Sequence, residues 1–143
     1  MKQYPFEKLD VWNRSREFVK MIYLVTDGFP AGERYGLTQQ MRRAVISVAS
    51  NIAEGSARKS LKDQSRFSVM AYGSLMEILN QLIIAKDLGY IEEAGYITSR
   101  KMIEELSNKL NSLNNSQQNR YKSTQNTQTP QHLNTSTNKH LNK

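Results

Sequence analysis

A chain of 143 residues, 38% hydrophobic and 23% charged, fits one domain large enough to bury a real core. It contains no cysteine, which excludes disulfides and thiolate metal sites. The formal charge of +7 is unevenly spread: from residue 114 onward the charged residues are Arg120, Lys122, Lys139 and Lys143, with no acid, so residues 1–113 are only mildly basic.

The N-terminus, Met1-Lys-Gln-Tyr-Pro-Phe-Glu-Lys, lacks the apolar run of a secretory signal. No uninterrupted apolar stretch reaches the roughly 18–20 residues that span a bilayer. The expectation is a cytoplasmic protein with no membrane partner.

Four helices are predicted from periodicity. The first covers residues 8–27, with Val11, Phe18, Val19 and Ile22 on one face and Trp12 and Tyr23 at its border. Gly28 supplies a stop and Phe29-Pro30 prevents continuation. The second covers residues 38–55, where Leu37, Met41, Val45, Val48 and Ile52 fall in one narrow sector at about 100° per residue. Its opposite face is unusual. In place of Lys and Glu it carries mostly short polar groups, Ser47, Ser50 and Asn51, between Arg43 and Glu54. Side chains of that size let a second helix approach, so Arg43, Ser47, Ser50, Asn51 and Glu54 are the candidate oligomer interface.

The third helix begins at Ser60, which with Asp63 has capping-box character, and ends at Gly89. Leu61, Tyr72, Leu75, Leu79 and Leu82 share its expected core face, flanked by Met76, Ile78 and Ile83. Gly73 lies mid-helix, where it costs roughly 1 kcal/mol relative to Ala, and close approach of a neighbouring helix is the expected compensation. The fourth covers residues 94–113, with Met102, Ile103, Leu106, Leu110 and Leu113 on one stripe. No stretch has the alternation of a strand. Short connections between the later helices favour antiparallel neighbours, so the expected fold is all-α, an up-down antiparallel four-helix bundle over residues 1–113. From Asn114 to Lys143 the composition turns to Asn, Gln, Ser and Thr, too poor in apolar groups to offset ordering entropy; this segment is expected to be a disordered tail.

Catalytic chemistry is thinly represented. His132 and His140 both fall in that tail, away from any scaffold that could orient them. No Glu-x-x-His pair, P-loop or dinucleotide fingerprint occurs, so neither a metal, a cofactor nor a small-molecule substrate is expected, and the protein reads as a non-enzyme. The best nucleic-acid candidates are Arg58, Lys59, Lys62 and Arg66, point charges clustered between the second and third helices. Asp63 interrupts them, and no aromatic platform interleaves.

A set of short motifs carries a resemblance: Phe29-Pro30, Glu33, Tyr35-Gly36-Leu37-Thr38, Gln40-Met41-Arg42-Arg43-Ala44, Ser47, Asn51-Ile52-Ala53-Glu54-Gly55, then Gly73-Ser74-Leu75-x-Glu77 and Leu88-Gly89-Tyr90. In this order and spacing the chain resembles, over residues 6–113, the bacterial four-helix-bundle proteins known as 23S rRNA intervening-sequence proteins, which are similar to accessory proteins of diversity-generating retroelements. The resemblance implies an up-down bundle assembled as a homopentamer, with nucleic acid or a nucleic-acid enzyme as partner. The functional expectation is a non-enzymatic homo-oligomer that binds RNA, or a nucleic-acid-handling protein, through basic surface. The alternative is a scaffold oligomer that recruits protein partners without nucleic-acid contact.

Overall fold

The computed structural model describes residues 1–128 and contains four α-helices: α1 (Asp10–Asp27), α2 (Leu37–Ser56), α3 (Leu61–Asp87) and α4 (Glu93–Gln128). Short 3-10 turns, Pro5–Lys8 and Ala31–Glu33, precede α1 and α2, and no strand occurs among the described residues. Each helix packs on its sequence neighbours and α4 closes onto α1, leaving α1 and α3, and α2 and α4, diagonal to one another. That is the up-down antiparallel four-helix bundle.

One core runs through all four helices. Phe18, Ile22, Met41, Val45, Val48, Leu75, Ile78, Leu82, Leu106 and Leu110 are fully or almost fully buried, at about 1.5–3 kcal/mol for each large side chain. The predicted faces of α1, α2 and α4 coincide with it. On α3 the core face is rotated from expectation. Phe67, Ala71, Leu75, Ile78, Leu82 and Ala85 point inward, while Leu61, Tyr72 and Leu79 lie at the border and Ile83 is exposed. The reason is that α3 is apolar on more than one side. The largest side chains pull the sequence-based stripe away from the small Ala71 and Ala85, which permit close packing but carry little hydropathy.

The ends of the helices follow local chemistry. Ser60 accepts a hydrogen bond from the Asp63 N–H at 3.0 Å, capping α3. At its far end Gly89 takes φ 76°, the Tyr90 N–H reaches the Ala85 carbonyl at 2.9 Å, and the Gly89 N–H reaches Lys86 at 3.0 Å. These two bonds form the Schellman pattern, which a left-handed glycine completes. Gly28 ends α1 differently, at φ −82°, without the left-handed turn. α2 starts at a cap that periodicity did not reveal: the Glu33 carboxylate accepts from the Leu37 N–H at 3.0 Å and from the Tyr90 hydroxyl at 3.3 Å.

Two expectations are corrected. The fourth helix does not stop at Leu113 but continues to Gln128, so the boundary at 113/114 is not structural. Its continuation is held by side chains: Gln117 is buried and accepts from Ser68 Oγ at 2.7 Å, and Asn114 accepts from Ser65 Oγ at 2.5 Å. Hydrogen bonding to α3 thus replaces the missing apolar area. The rest of the expected tail, residues 129–143 with both histidines, lies outside the described residues. Secondly, Gly73 is exposed and a Cβ there would meet nothing within 4 Å, so no helix of the same chain approaches it. α3 is long and apolar enough by length and composition to cross a membrane, with a mean hydropathy of 1.3 over 18 residues, although Glu77 keeps it from being an uninterrupted apolar stretch. Its inward face is packed in the bundle, as core helices that pass the same test are.

Candidate nucleic-acid interface

The α2–α3 junction is built around Gly55 and Phe67. A Cβ on Gly55 would lie 2.8 Å from Phe67 Cβ, so the end of α2 and the start of α3 meet at a distance only glycine allows. Phe67 is buried, and two guanidiniums cover its ring, Arg58 at 4.6 Å and Arg66 at 5.5 Å from the centroid. The absence of an interleaved aromatic, expected from the sequence, is therefore corrected. The ring serves as an anchor beneath the cations rather than as an exposed base platform. Gln64 Nε2 donates to the Arg58 carbonyl at 2.8 Å, fixing the chain between the helices.

Lys59 and Lys62 stand exposed beside this pair, and neither makes an ion pair among the described residues. All four sequence candidates are thus brought to one end of the bundle. The helical continuation of α4 adds a fifth cation. Arg120 lines, with Gly55, Ser56, Gln64, Ser68 and Gln117, a cleft of about 190 Å³ against the junction. No sequence signal placed Arg120 there, because the polar run that carries it has no helical hydrophobic period. Chemically the cluster offers separated positive charges to a phosphate backbone, with no base-reading surface of its own.

The polar face of α2 divides in two. Ser47 and Ser74 hydroxyls are 2.8 Å apart, and Asn51 Nδ2 donates to the Ser47 carbonyl at 2.9 Å and to its hydroxyl at 3.1 Å. Ser47 thus joins α2 to α3 within the chain, and Asn51 braces it from the next turn of α2, both remaining partly exposed. Arg43, Ser50 and Glu54 remain exposed. The outward face of α3 is more demanding. Val69 (54% exposed), Met70, Ile83 and Ile84 are all uncovered, with the open Gly73 and the polar Glu77 and Asn80 between the two pairs. An apolar face of this kind is the usual signature of a surface that pairs with another protein surface.

Among the described residues no group of three or more His, Cys, Asp or Glu could hold a metal ion. An ion-pair fork joins α1 and α4. Arg14 forms a fork on Glu105, with Nε and an Nη at 2.9 and 2.7 Å from the two carboxylate oxygens, and also pairs with Glu17. Hydrogen bonding from Arg14 holds the Glu105 carboxyl below its ordinary pKa.

Residues 7–112 match the family model described as 23S rRNA-intervening sequence protein, and the chain belongs to that family. None of the curated proteins matches it. The matched region ends before Gln117 and Arg120, which lie in the continuation of α4.

Proposed function

We propose that the protein is a non-enzymatic bundle that self-associates through the outward face of α3 and binds RNA on the basic end built by the α2–α3 junction. The observation that carries the RNA reading is the convergence of Arg58, Lys59, Lys62, Arg66 and Arg120 on one end, two of them seated on the Phe67 ring. The description of the family points to an rRNA context and supports the same reading. Self-association is supported by the uncovered Val69, Met70, Ile83 and Ile84, with the exposed Arg43, Ser50 and Glu54 as a further candidate rim. Five subunits is the number the family resemblance implies. Repetition of the basic end around such a ring would strengthen RNA binding through multivalency.

The test replaces Arg58, Lys59, Lys62 and Arg66 together with Gln and measures RNA affinity as a function of salt. Affinity should fall about tenfold or more on unrelated sequences alike. The log–log salt slope should flatten by about 3, since each contact to a single strand contributes roughly 0.7. A change of Arg100 and Lys101 to Gln, which removes two charges instead of four, is the control, compared per charge removed. Equal weakening by the control leaves only diffuse attraction, and no RNA affinity in the parent protein favours the scaffold reading. Light scattering on the same samples should give a mass well above the 16.5 kDa chain.

A further inference from the structure

A second cationic site lies away from the junction, between the last turns of α1, the Ala31–Glu33 turn and the first half of α2. It is a groove of about 590 Å³, lined chiefly by Tyr23, Arg34, Tyr35, Gln39, Arg42 and Arg43. Its parts play different roles. Arg42 is fixed: Nε donates to Thr26 Oγ1 at 2.9 Å, an Nη donates to Asp27 at 2.8 Å, and the guanidinium sits 4.5 Å from the Tyr23 ring centroid. Tyr23 and Arg42 together form a rigid shelf, with the ring still 39% exposed.

Tyr35 is the opposite case. It is 80% exposed, with the Arg34 guanidinium 5.4 Å from its ring. Arg34 and Arg43 are exposed and make no ion pair among the described residues. Glu33, the nearest acid in sequence, turns inward to cap α2 and leaves their charge uncompensated. Asp27, next to the groove, is paired with Arg42. An exposed aromatic ring sharing a groove with guanidiniums that no acid pairs matches a nucleobase joined to its flanking phosphates. A symmetric contact between two copies would instead bring like charges together.

Resting on the RNA-binding reading above, we propose that this groove takes up single-stranded RNA. One base stacks on Tyr35, a neighbouring base on the Tyr23–Arg42 shelf, and Arg34 and Arg43 hold the adjoining phosphates. Paired bases have both faces covered by their stacked neighbours, so a duplex offers nothing to these rings. The groove therefore supplies selectivity for unpaired RNA, which the point charges of the junction cannot.

The experiment compares a fluorescein-labelled 12-nucleotide RNA without self-complementarity with a fully paired RNA hairpin closed by a non-nucleotide linker, by anisotropy, on the full-length protein. Tyr35→Ala should weaken the single strand about tenfold, within the range seen for loss of one stacked base, and leave the hairpin unchanged. Tyr35→Phe should restore single-strand binding, since stacking needs the ring and not the hydroxyl. Arg34→Gln with Arg43→Gln should flatten the single-strand salt slope by about 1.4. Single-strand affinity within twofold of the parent for Tyr35→Ala, or equal weakening of strand and hairpin, overturns the proposal. So does a change in assembly mass with Tyr35→Ala, which would make the groove a contact between copies. If the junction variant loses RNA while Tyr35→Ala does not, the groove proposal alone falls. A parent protein that binds neither RNA removes both readings.

Discussion

The bundle carries two cationic regions, roughly 20 Å apart along α2 by its rise per residue, and they are built in opposite ways. At the junction the aromatic ring is buried and the cations lie over it: Phe67 beneath Arg58 and Arg66. In the groove a cation is fixed and a ring is exposed, with Arg42 tied to Thr26 and Asp27 while Tyr35 stands in solvent beside Arg34. Similar residue types therefore have different uses. A guanidinium seated on a buried ring is an anchored point charge, whereas an exposed ring beside free guanidiniums is a stacking surface. The contrast teaches that a count of basic and aromatic residues does not specify a binding mode; which partner is buried does.

The comparison breaks most visibly at the rings. Phe67→Ala should destabilise the protein by about 3–5 kcal/mol, as deletion of a buried aromatic usually does, and release Arg58 and Arg66 together. Tyr35→Ala should stay within about 0.5 kcal/mol, the usual range for a surface change. Urea denaturation of the two variants side by side measures this. Similar losses in both would show that the groove ring also supports the fold.

A truncation after Leu113 probes the junction from its other side. It removes Gln117 and Asn114, leaving the Ser68 and Ser65 hydroxyls without those partners, and it removes Arg120. A cost of about 1–3 kcal/mol is expected, together with a slightly shallower salt dependence of RNA binding. Deletion of residues 129–143 alone is the reference. An unchanged thermal midpoint relative to it would mean that the α4 continuation adds nothing to the bundle.

The smallest effect is expected from acid, and it should not discriminate between the two regions. The Glu105 carboxyl is held low by the Arg14 fork. Its folded pKa lies below the unfolded value of about 4.3, so its contribution is present above that pH. It is lost as the pH falls through the folded value. For an ion pair this exposed the loss stays below about 1 kcal/mol. Glu105→Gln should remove that part of the acid sensitivity in a pH series of urea melts. A variant with unaltered acid sensitivity would place the titrating group elsewhere.

The sequence by itself determined four helices and the inward faces of α1, α2 and α4, because large apolar side chains at helical spacing can be satisfied only by burial on one side. It also determined the Ser60 and Gly89 boundaries, where cap chemistry is local. The four junction cations were legible because they are adjacent in the chain. Tertiary structure decided the rest. It rotated the inward face of α3, since small Ala71 and Ala85 contribute by permitting close packing, a property that hydropathy does not record. It turned Ser47, braced by Asn51, toward Ser74 of the same chain, because a short polar face permits close approach without naming the helix that approaches. It extended α4 past Leu113 through Gln117 and Asn114, since hydrogen bonds to α3 have no periodic signature in sequence. The groove was decided in the same way: Tyr23 and Tyr35 lie twelve residues apart, and only the turn between α1 and α2 brings both rings and their arginines to one surface.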